Sequence, residues 1–361
     1  MFSTDPAESA AEAGLRYVRG CGPCIRRVRC GKSFRYFGPD GKPLREPRHL
    51  SRIRSLVIPP AWKNVWICPS PNGHLQAVGW DVKGRKQYRY HPKYRSIRDE
   101  AKFSRMIAFG TVLARIRTTV EKDMARRGLP KEKVLATVVH LLDTTFVRIG
   151  NDEYAKENDS FGLTTMRNRH VTIEGTRLMF RFRGKSGQEH LLEVTDRKLA
   201  RIVKQCQDLP GYDLFEYQDA DGNVCTIDSS DVNKYIRDAA GVEGYTAKDF
   251  RTWAGSLLAI RELHDAGPAE NETQAKKTVV EAVKNVARRL GNRPATCRKY
   301  YVHPAVLEAY SDGSLFPTMK AGIEQDNQYA GLGLRPAEYA LMVIVAGYQE
   351  RLARTVRTKA A

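Results

Sequence analysis

Apolar and polar positions change their period several times along the chain. From about Gly31 to Arg95 short apolar runs at 33–38, 65–68 and 75–80 alternate with the turn signals Pro39-Asp40-Gly41, Pro71-Asn72-Gly73 and Lys83-Gly84. Runs of this length bounded by glycine and proline predict strands joined by tight turns. The segment Ile58-Pro59-Pro60-Ala61-Trp62 interrupts any ladder, because proline donates no backbone hydrogen bond. Beyond Asp99 the period becomes helical: Phe103, Ile107, Val112, Leu113 and Ile116 share one side of a predicted helix over 101–124. Gly128 and Pro130 end it, and a second helix begins at Lys131 and runs to Leu142.

Residues 165–195 return to a period of two. Leu178, Phe180 and Phe182 alternate with Met179, Arg181 and Arg183, and His190, Leu192 and Val194 continue the opposite strand. The four residues Gly184-Lys185-Ser186-Gly187 between them predict a hairpin loop that holds Lys185 at a turn. Helices are predicted over 196–209, 229–239 and 247–264, with the turn 219–223 between the first two. The third opens on a capping box, Thr246 with Asp249, and turns Phe250, Ala254, Leu257 and Leu258 inward. A helical pattern at Val283, Val286 and Leu290 runs up to Gly291, a C-cap; Pro294 opens a short helix and Pro304 redirects the chain after Tyr300 and Tyr301. A last helix is predicted over 338–354. The expected fold class is α+β: a flexible leader at 1–30, a small β-rich domain at 31–98, and a mostly helical domain at 99–361 that carries a β-hairpin and a C-terminal extension from about residue 312.

Charge narrows the partners. Sixty Lys and Arg against 41 Asp and Glu give a formal net charge of +19, which favours a polyanion, nucleic acid ahead of a membrane surface, unless the charge serves solubility alone. No run approaches the ~20 apolar residues that cross a bilayer, and the first residues carry no basic patch followed by an apolar run, so no secretory signal is expected. Seven scattered cysteines disfavour a disulfide framework and fit a reducing cytoplasm. Cys21-Gly22-Pro23-Cys24 copies a redox dithiol but lacks the strand before it and the long helix after it. Cys21, Cys24, Cys30 and His49 match no closed zinc spacing. Free thiols are expected. Gly184-Lys185-Ser186 lacks the glycine-led loop and following helix of a nucleotide-binding P-loop.

Two features invite an anion. Arg85, Lys86, Tyr88 and Tyr90 interleave basic and aromatic side chains that suit a sugar-phosphate backbone ahead of a solvated strand edge. Arg251 stands in the first turn of its predicted helix, where the dipole slightly disfavours a cation.

The stretch Leu290-Gly291-Asn292-Arg293-Pro294, followed by a short helix ending in paired tyrosines, resembles the active-site segment of the type IB DNA topoisomerases in their small poxviral and bacterial form. In that family the nucleophilic tyrosine stands nine positions after a His or Asn, and nine positions after Asn292 is Tyr301, not Tyr300. The segment 148–170 resembles the one opened by the family's first catalytic arginine, Arg148; the hairpin tip resembles that of its general-acid lysine, Lys185; and 248–253 resembles the one with its second arginine, Arg251. Residues 59–66, 71–76 and 84–91 resemble the family's N-terminal domain, which closes over one face of the duplex.

The resemblance covers about residues 30–310 and implies a fold of the tyrosine recombinase and topoisomerase IB kind. It implies relaxation of supercoiled duplex DNA through a 3′-phosphotyrosyl intermediate on Tyr301. Arg148, Arg251 and Asn292 would contact the phosphate and Lys185 would protonate the leaving oxygen, with no cofactor, ATP or metal. Arg85, Lys86, Tyr88 and Tyr90 would meet the DNA backbone from the first domain, in a monomeric two-domain clamp with a cytoplasmic, nucleoid-associated location. His91 and His170 are given no catalytic role, and Glu153, Glu157 and Asp159 are expected to order the helix after Arg148. A tyrosine recombinase shares the Arg, Lys, Arg and Tyr chemistry, but its N-terminal domain is normally helical. A DNA-binding protein without activity is the other alternative.

Overall fold

The computed structural model describes residues 5–20, 22–31, 33–82, 84–324 and 331–360. Cys21 of the dithiol-like motif, Lys83 of the third turn signal and the first four residues of the expected leader lie outside the described residues. The chain divides into two compact units, Met1–Ser104 and Arg105–Ala361, a few residues beyond the change of composition near 95–100.

The first unit begins with α1 (Pro6–Glu12), capped by Asp5, whose carboxylate accepts from the backbone of Ala7 at 2.7 Å and Glu8 at 3.0 Å. Strands β1 (Ile25–Cys30), β2 (Ser33–Phe37), β3 (Lys63–Ile67), β4 (Leu75–Trp80) and β5 (Lys86–Tyr90) form one antiparallel sheet in the order β2-β1-β3-β4-β5. Helix α2 (Pro47–Ser55) contributes Ile53 to a core with Ile25, Val65, Ile67 and Ala77. The expected flexible leader is thus corrected over much of its length. It holds α1 and β1, and Ala10, Ala13 and Leu15 pack with Tyr94. Strand β1 escaped the pattern because Arg27 occupies a half-buried position on it. The Arg27 guanidinium lies 4.3 Å from the Phe34 ring and donates to the carbonyls of Pro59 at 3.1 Å and Trp62 at 2.7 Å. An arginine that packs its stem hides the alternation. The signalled turn at 71–73 is held by buried Gln76, whose amide nitrogen donates to the carbonyls of Ser70, Pro71 and Gly73. Cys24 and Cys30 carry free thiols, and burial pushes the Cys24 thiol up rather than toward the reactive thiolate.

The unit boundary falls within α3 (Pro92–Met124), which starts earlier than its apolar stripe because Pro92 suits a first helical position. After it come α4 (Lys131–Thr145) and α5 (Asp152–Asn158), then the antiparallel sheet β6 (Val171–Glu174), β7 (Arg177–Arg183) and β8 (Glu189–Thr195). Next are α6 (Arg197–Gln207), the ribbon β9 (Glu216–Gln218) and β10 (Val224–Thr226), α7 (Ser229–Ala240) and α8 (Ala247–Asp265). The chain ends through α9 (Glu272–Arg289), α10 (Pro294–Tyr300), α11 (Pro304–Ser311), α12 (Leu315–Glu324) and α13 (Pro336–Ala360). Among the described residues no helix is long and apolar enough to cross a membrane.

Helix α8 is central. Phe250 and Trp253 meet Phe109 of α3 edge-on at 5.1 and 5.8 Å. A Cβ on Gly110 would lie 2.8 Å from the Trp253 ring, so the bare backbone of α3 is what admits that indole. The C-terminal extension packs on this core. Fully buried Glu338 of α13 receives both terminal nitrogens of Arg117, at 2.8 and 2.9 Å, and the Trp253 indole at 3.3 Å, while Arg117 also donates to Asp143 at 2.8 Å. Burial pushes the Glu338 carboxyl up, but the hydrogen bonds from Arg117 and the Arg335 backbone outweigh it and hold it below the ordinary glutamate range. Its share of stability is therefore complete above that range and is lost as pH falls through the depressed value. Glu338→Ala leaves Arg117 with half its partners in a dry site, and the expected loss is about 3–5 kcal/mol in urea unfolding at neutral pH. A loss under about 1 kcal/mol would mean that the pair behaves as a surface bridge.

Candidate active site

Arg148 is presented by the backbone that leaves α4. Phe146 ends that helix in the left-handed region at φ 61°, and the chain then crosses a tight glycine junction. Gly150 has φ +108°, and a Cβ on Gly162 would lie 2.5 Å from the Gly150 Cα. Leu163 N–H donates to the Arg148 carbonyl at 2.9 Å and Thr164 N–H to that of Ile149 at 2.7 Å. The anchored Arg148 sends one terminal nitrogen to the Gly291 carbonyl at 3.1 Å and to the Asn292 side-chain oxygen at 2.6 Å.

Asn292 is placed by how α9 ends. Gly291 has φ +58°, its N–H donates to Arg288 O at 3.1 Å, and Asn292 N–H donates to Ala287 O at 2.8 Å, the paired bonds of a Schellman cap. The N-cap of α10 is Arg293, which makes no side-chain cap bond, so Asn292 does not cap the short helix. A guanidinium has only donors, so the Asn292 oxygen must face Arg148. Its amide nitrogen is left buried without a hydrogen-bond partner.

Arg251 is only 6% exposed. It donates to the Phe146 carbonyl and, at 2.8 Å, to the Leu290 carbonyl, tying the segment before Arg148 to the segment before Asn292. Its Nε has no partner. The guanidinium lies 5.4 Å from the centre of the Tyr301 ring. Burial and then the neighbouring Arg148 push the Arg251 pKa down to about 10, with Tyr301 opposing. It stays cationic at neutral pH. Burial likewise lowers Arg148. A buried and a half-buried guanidinium beside each other, with no carboxylate partner among the described residues, form a site made for an anion.

Tyr301 is fixed through α8. A Cβ on Gly255 would lie 2.7 Å from the Tyr301 Cβ, Ser256 Oγ donates to Tyr301 O at 3.2 Å, and Ser256 in turn accepts from His303 N–H at 2.9 Å. Tyr300 instead carries the Lys299 ammonium 5.2 Å from its ring centre. Arg148, Arg251, Asn292 and Tyr301 are therefore brought together. Lys185 stands exposed on the short turn Lys185–Gly187 between β7 and β8, closed by Gly184 N–H to Gln188 O at 2.7 Å.

The sequence patterns named neither Gly255 nor Ser256 as part of the site, and gave His190 only a place on a strand. His190 stacks on Phe182 at 4.9 Å, and the position of a Gly291 Cβ would lie 2.6 Å from its ring. A small residue inside a helix and a histidine on an alternating strand carry no signal of their own. In the first unit, Lys86, Tyr88 and Tyr90 are exposed along the outer strand β5, with the two tyrosine rings stacked at 6.0 Å. Arg85 is engaged by Asp81 at 2.7 Å, and Glu153 and Glu157 lie on α5, with Asp159 just after it.

Residues 91–326 match the family described as "Eukaryotic DNA topoisomerase I, catalytic core", and residues 33–81 match "Bacterial DNA topoisomerase IB, N-terminal domain". The chain is 32% identical over 299 residues to "DNA topoisomerase 1B" of Acanthamoeba polyphaga mimivirus, covering 81% of this chain and 89% of that one. The chain belongs to the type IB DNA topoisomerase family. It is also 24% identical over 273 residues to "DNA topoisomerase 1B" of Vaccinia virus (strain Copenhagen), covering 74% and 79% of the two chains. To "DNA topoisomerase 1" of Schizosaccharomyces pombe it is 26% identical over 189 residues, 52% of this chain and 21% of that one.

The family's action on DNA gives the packing around Tyr301 a direct readout. Gly255→Ala adds a methyl where the Tyr301 backbone and Cβ already lie, and the tyrosine must shift. With Tyr301 as the proposed nucleophile, DNA cleavage in a single turnover is expected to slow by about 10²-fold, the scale of a misplaced reacting group. An unchanged rate would mean that α8 does not set the position of Tyr301.

Proposed function

We propose that this topoisomerase relaxes supercoiled duplex DNA by cutting one strand through Tyr301, letting the cut strand rotate, and resealing it. The observation that carries the reading is the convergence of the buried Arg251 guanidinium, which lies against the Tyr301 ring, with the half-buried Arg148 guanidinium and the Asn292 side chain bonded to it, whose amide N–H is unpartnered. The phenol gives up its proton to solvent as its oxygen attacks phosphorus in line, the bond to phosphorus forms as the bond to the 5′-oxygen breaks, and the covalent product is a 3′-phosphotyrosyl ester. Arg148 and Arg251 neutralise the non-bridging oxygens as charge accumulates. Asn292 adds one neutral hydrogen bond, and Lys185 protonates the departing 5′-oxygen. The ester conserves the phosphodiester energy, so the returning 5′-hydroxyl reseals the strand without a nucleotide.

Lys86, Tyr88 and Tyr90, with Arg85 held beside them, are assigned to the DNA backbone from the first unit, and the enzyme acts as a monomer that grips duplex with both units. A cytoplasmic, nucleoid-associated location follows from that substrate. Relaxation of a supercoiled plasmid in EDTA without ATP tests the whole reading.

Tyr301→Phe removes the oxygen and keeps the ring. Relaxation and the covalent adduct are expected to vanish while duplex affinity stays within a few-fold of the parent. Tyr300→Phe is the control, and adduct loss there with adduct retained in Tyr301→Phe would shift the nucleophile by one residue. Lys185→Ala is expected to be slow on an ordinary 5′-oxygen and restored on a 5′-bridging sulfur, which departs without a proton. Equal slowing on both substrates would remove Lys185 as the acid. Asn292→Ala should cost about 10²–10³ in cleavage rate, the scale of one lost oxyanion donor, and Asn292→His should keep much of the activity. A rate for Asn292→Ala within about threefold of the parent would leave the arginines as the only clamp.

A further inference from the structure

The same imidazole fills the space left by two glycines, and each of those glycines immediately precedes a residue of the proposed machinery. A Cβ on Gly184, next to Lys185, would lie 2.6 Å from His190 Nε2, and a Cβ on Gly291, next to Asn292, would lie 2.6 Å from His190 Cε1. The ring is fixed from the side by Phe182, stacked at 4.9 Å and 10°. Ser160 Oγ donates to the Gly184 carbonyl at 3.2 Å, so the base of the hairpin is tied on that side as well. Gly184 itself has φ −96°, a conformation open to any residue, so its lack of a side chain is explained by the ring and not by the backbone.

We propose that His190 is a positioning residue: wedged between Gly184 and Gly291, it sets the hairpin carrying Lys185 against the segment carrying Asn292 and Arg148. This rests on the reading of Lys185 as the general acid. The charged groups facing the ring are Arg148 and Arg251 from the other segments and Glu189 on its own strand. Burial first, and then the two arginines, lower its pKa, so at neutral pH the wedge is an uncharged ring that adds no third cation beside the arginines. His190 acts through shape.

The test is single-turnover cleavage by the full chain of a duplex with one scissile phosphate, made with either an ordinary 5′-oxygen or a 5′-bridging sulfur. His190→Ala is expected to slow the ordinary substrate by about 10- to 100-fold, the range of a misplaced catalytic group. On the sulfur substrate it should stay within about threefold of the parent, a rescue that general damage to the fold would not give. Gly184→Ala pushes on the same ring with His190 intact, and should reproduce both results even if His190→Ala fails to fold. His190→Ala with Lys185→Ala should be no slower on the ordinary substrate than Lys185→Ala alone, since both act on one proton transfer. An unchanged ordinary rate, or equal slowing on both substrates, in His190→Ala and Gly184→Ala overturns the proposal. If sulfur rescues Lys185→Ala but neither of these variants, only the role of His190 falls. If sulfur does not rescue Lys185→Ala, the acid role of Lys185 falls and this inference with it.

Discussion

The buried fork of Arg251 is the constraint on which the rest of the catalytic unit depends. Its two terminal nitrogens are used by the carbonyls of Phe146 and Leu290, each at the end of a helix. Such carbonyls have no partner within their own helix, so the arginine satisfies them while they hold it in place. What it retains for a ligand is its charge, the second N–H of each terminal nitrogen and its unpartnered Nε. The cation costs free energy to bury, as its lowered pKa records, and an arriving phosphate would relieve that cost. Structural support and anion affinity thus come from one side chain.

Much of this was legible from residue order. The alternation at Leu178, Phe180 and Phe182 marked β7, the capping box at Thr246 and Asp249 marked the start of α8, and Gly291 and Pro294 marked the junction that carries Asn292. Each is a local rule about one turn or one face. Strand β1 was hidden because Arg27 stands where an apolar residue would announce a strand, and α2 because Arg48, Arg52 and Arg54 crowd a nine-residue helix. The burial of Arg251 was also beyond reach. A charged residue in a first turn reads as solvent-facing unless the carbonyls that receive it, 105 and 39 positions away, are known. Gly255 and His190 belong to the same class, since their meaning lies in what the fold places against them.

The C-terminal helix α13 answers a different need. Trp253 is in the same helix as Arg251, two positions along, and its indole nitrogen donates to Glu338 at 3.3 Å. The far side of the site's central helix is therefore held by an ion-pair cluster that includes Arg117 and Asp143. A segment remote in sequence from every proposed catalytic residue thereby restrains the helix that carries one of them.

The attachment of Tyr301 to α8 has a further meaning for a reaction that must run backwards faithfully. Its main chain lies against the bare backbone of Gly255 and is bonded to Ser256, so the segment has no hinge at this point. With Tyr301 as the proposed nucleophile, a DNA end joined to it could wander only as far as rotation within one side chain permits. One terminus of the nick would stay registered to the protein while the other turned, and the broken strand would keep a fixed address to which the free end could return.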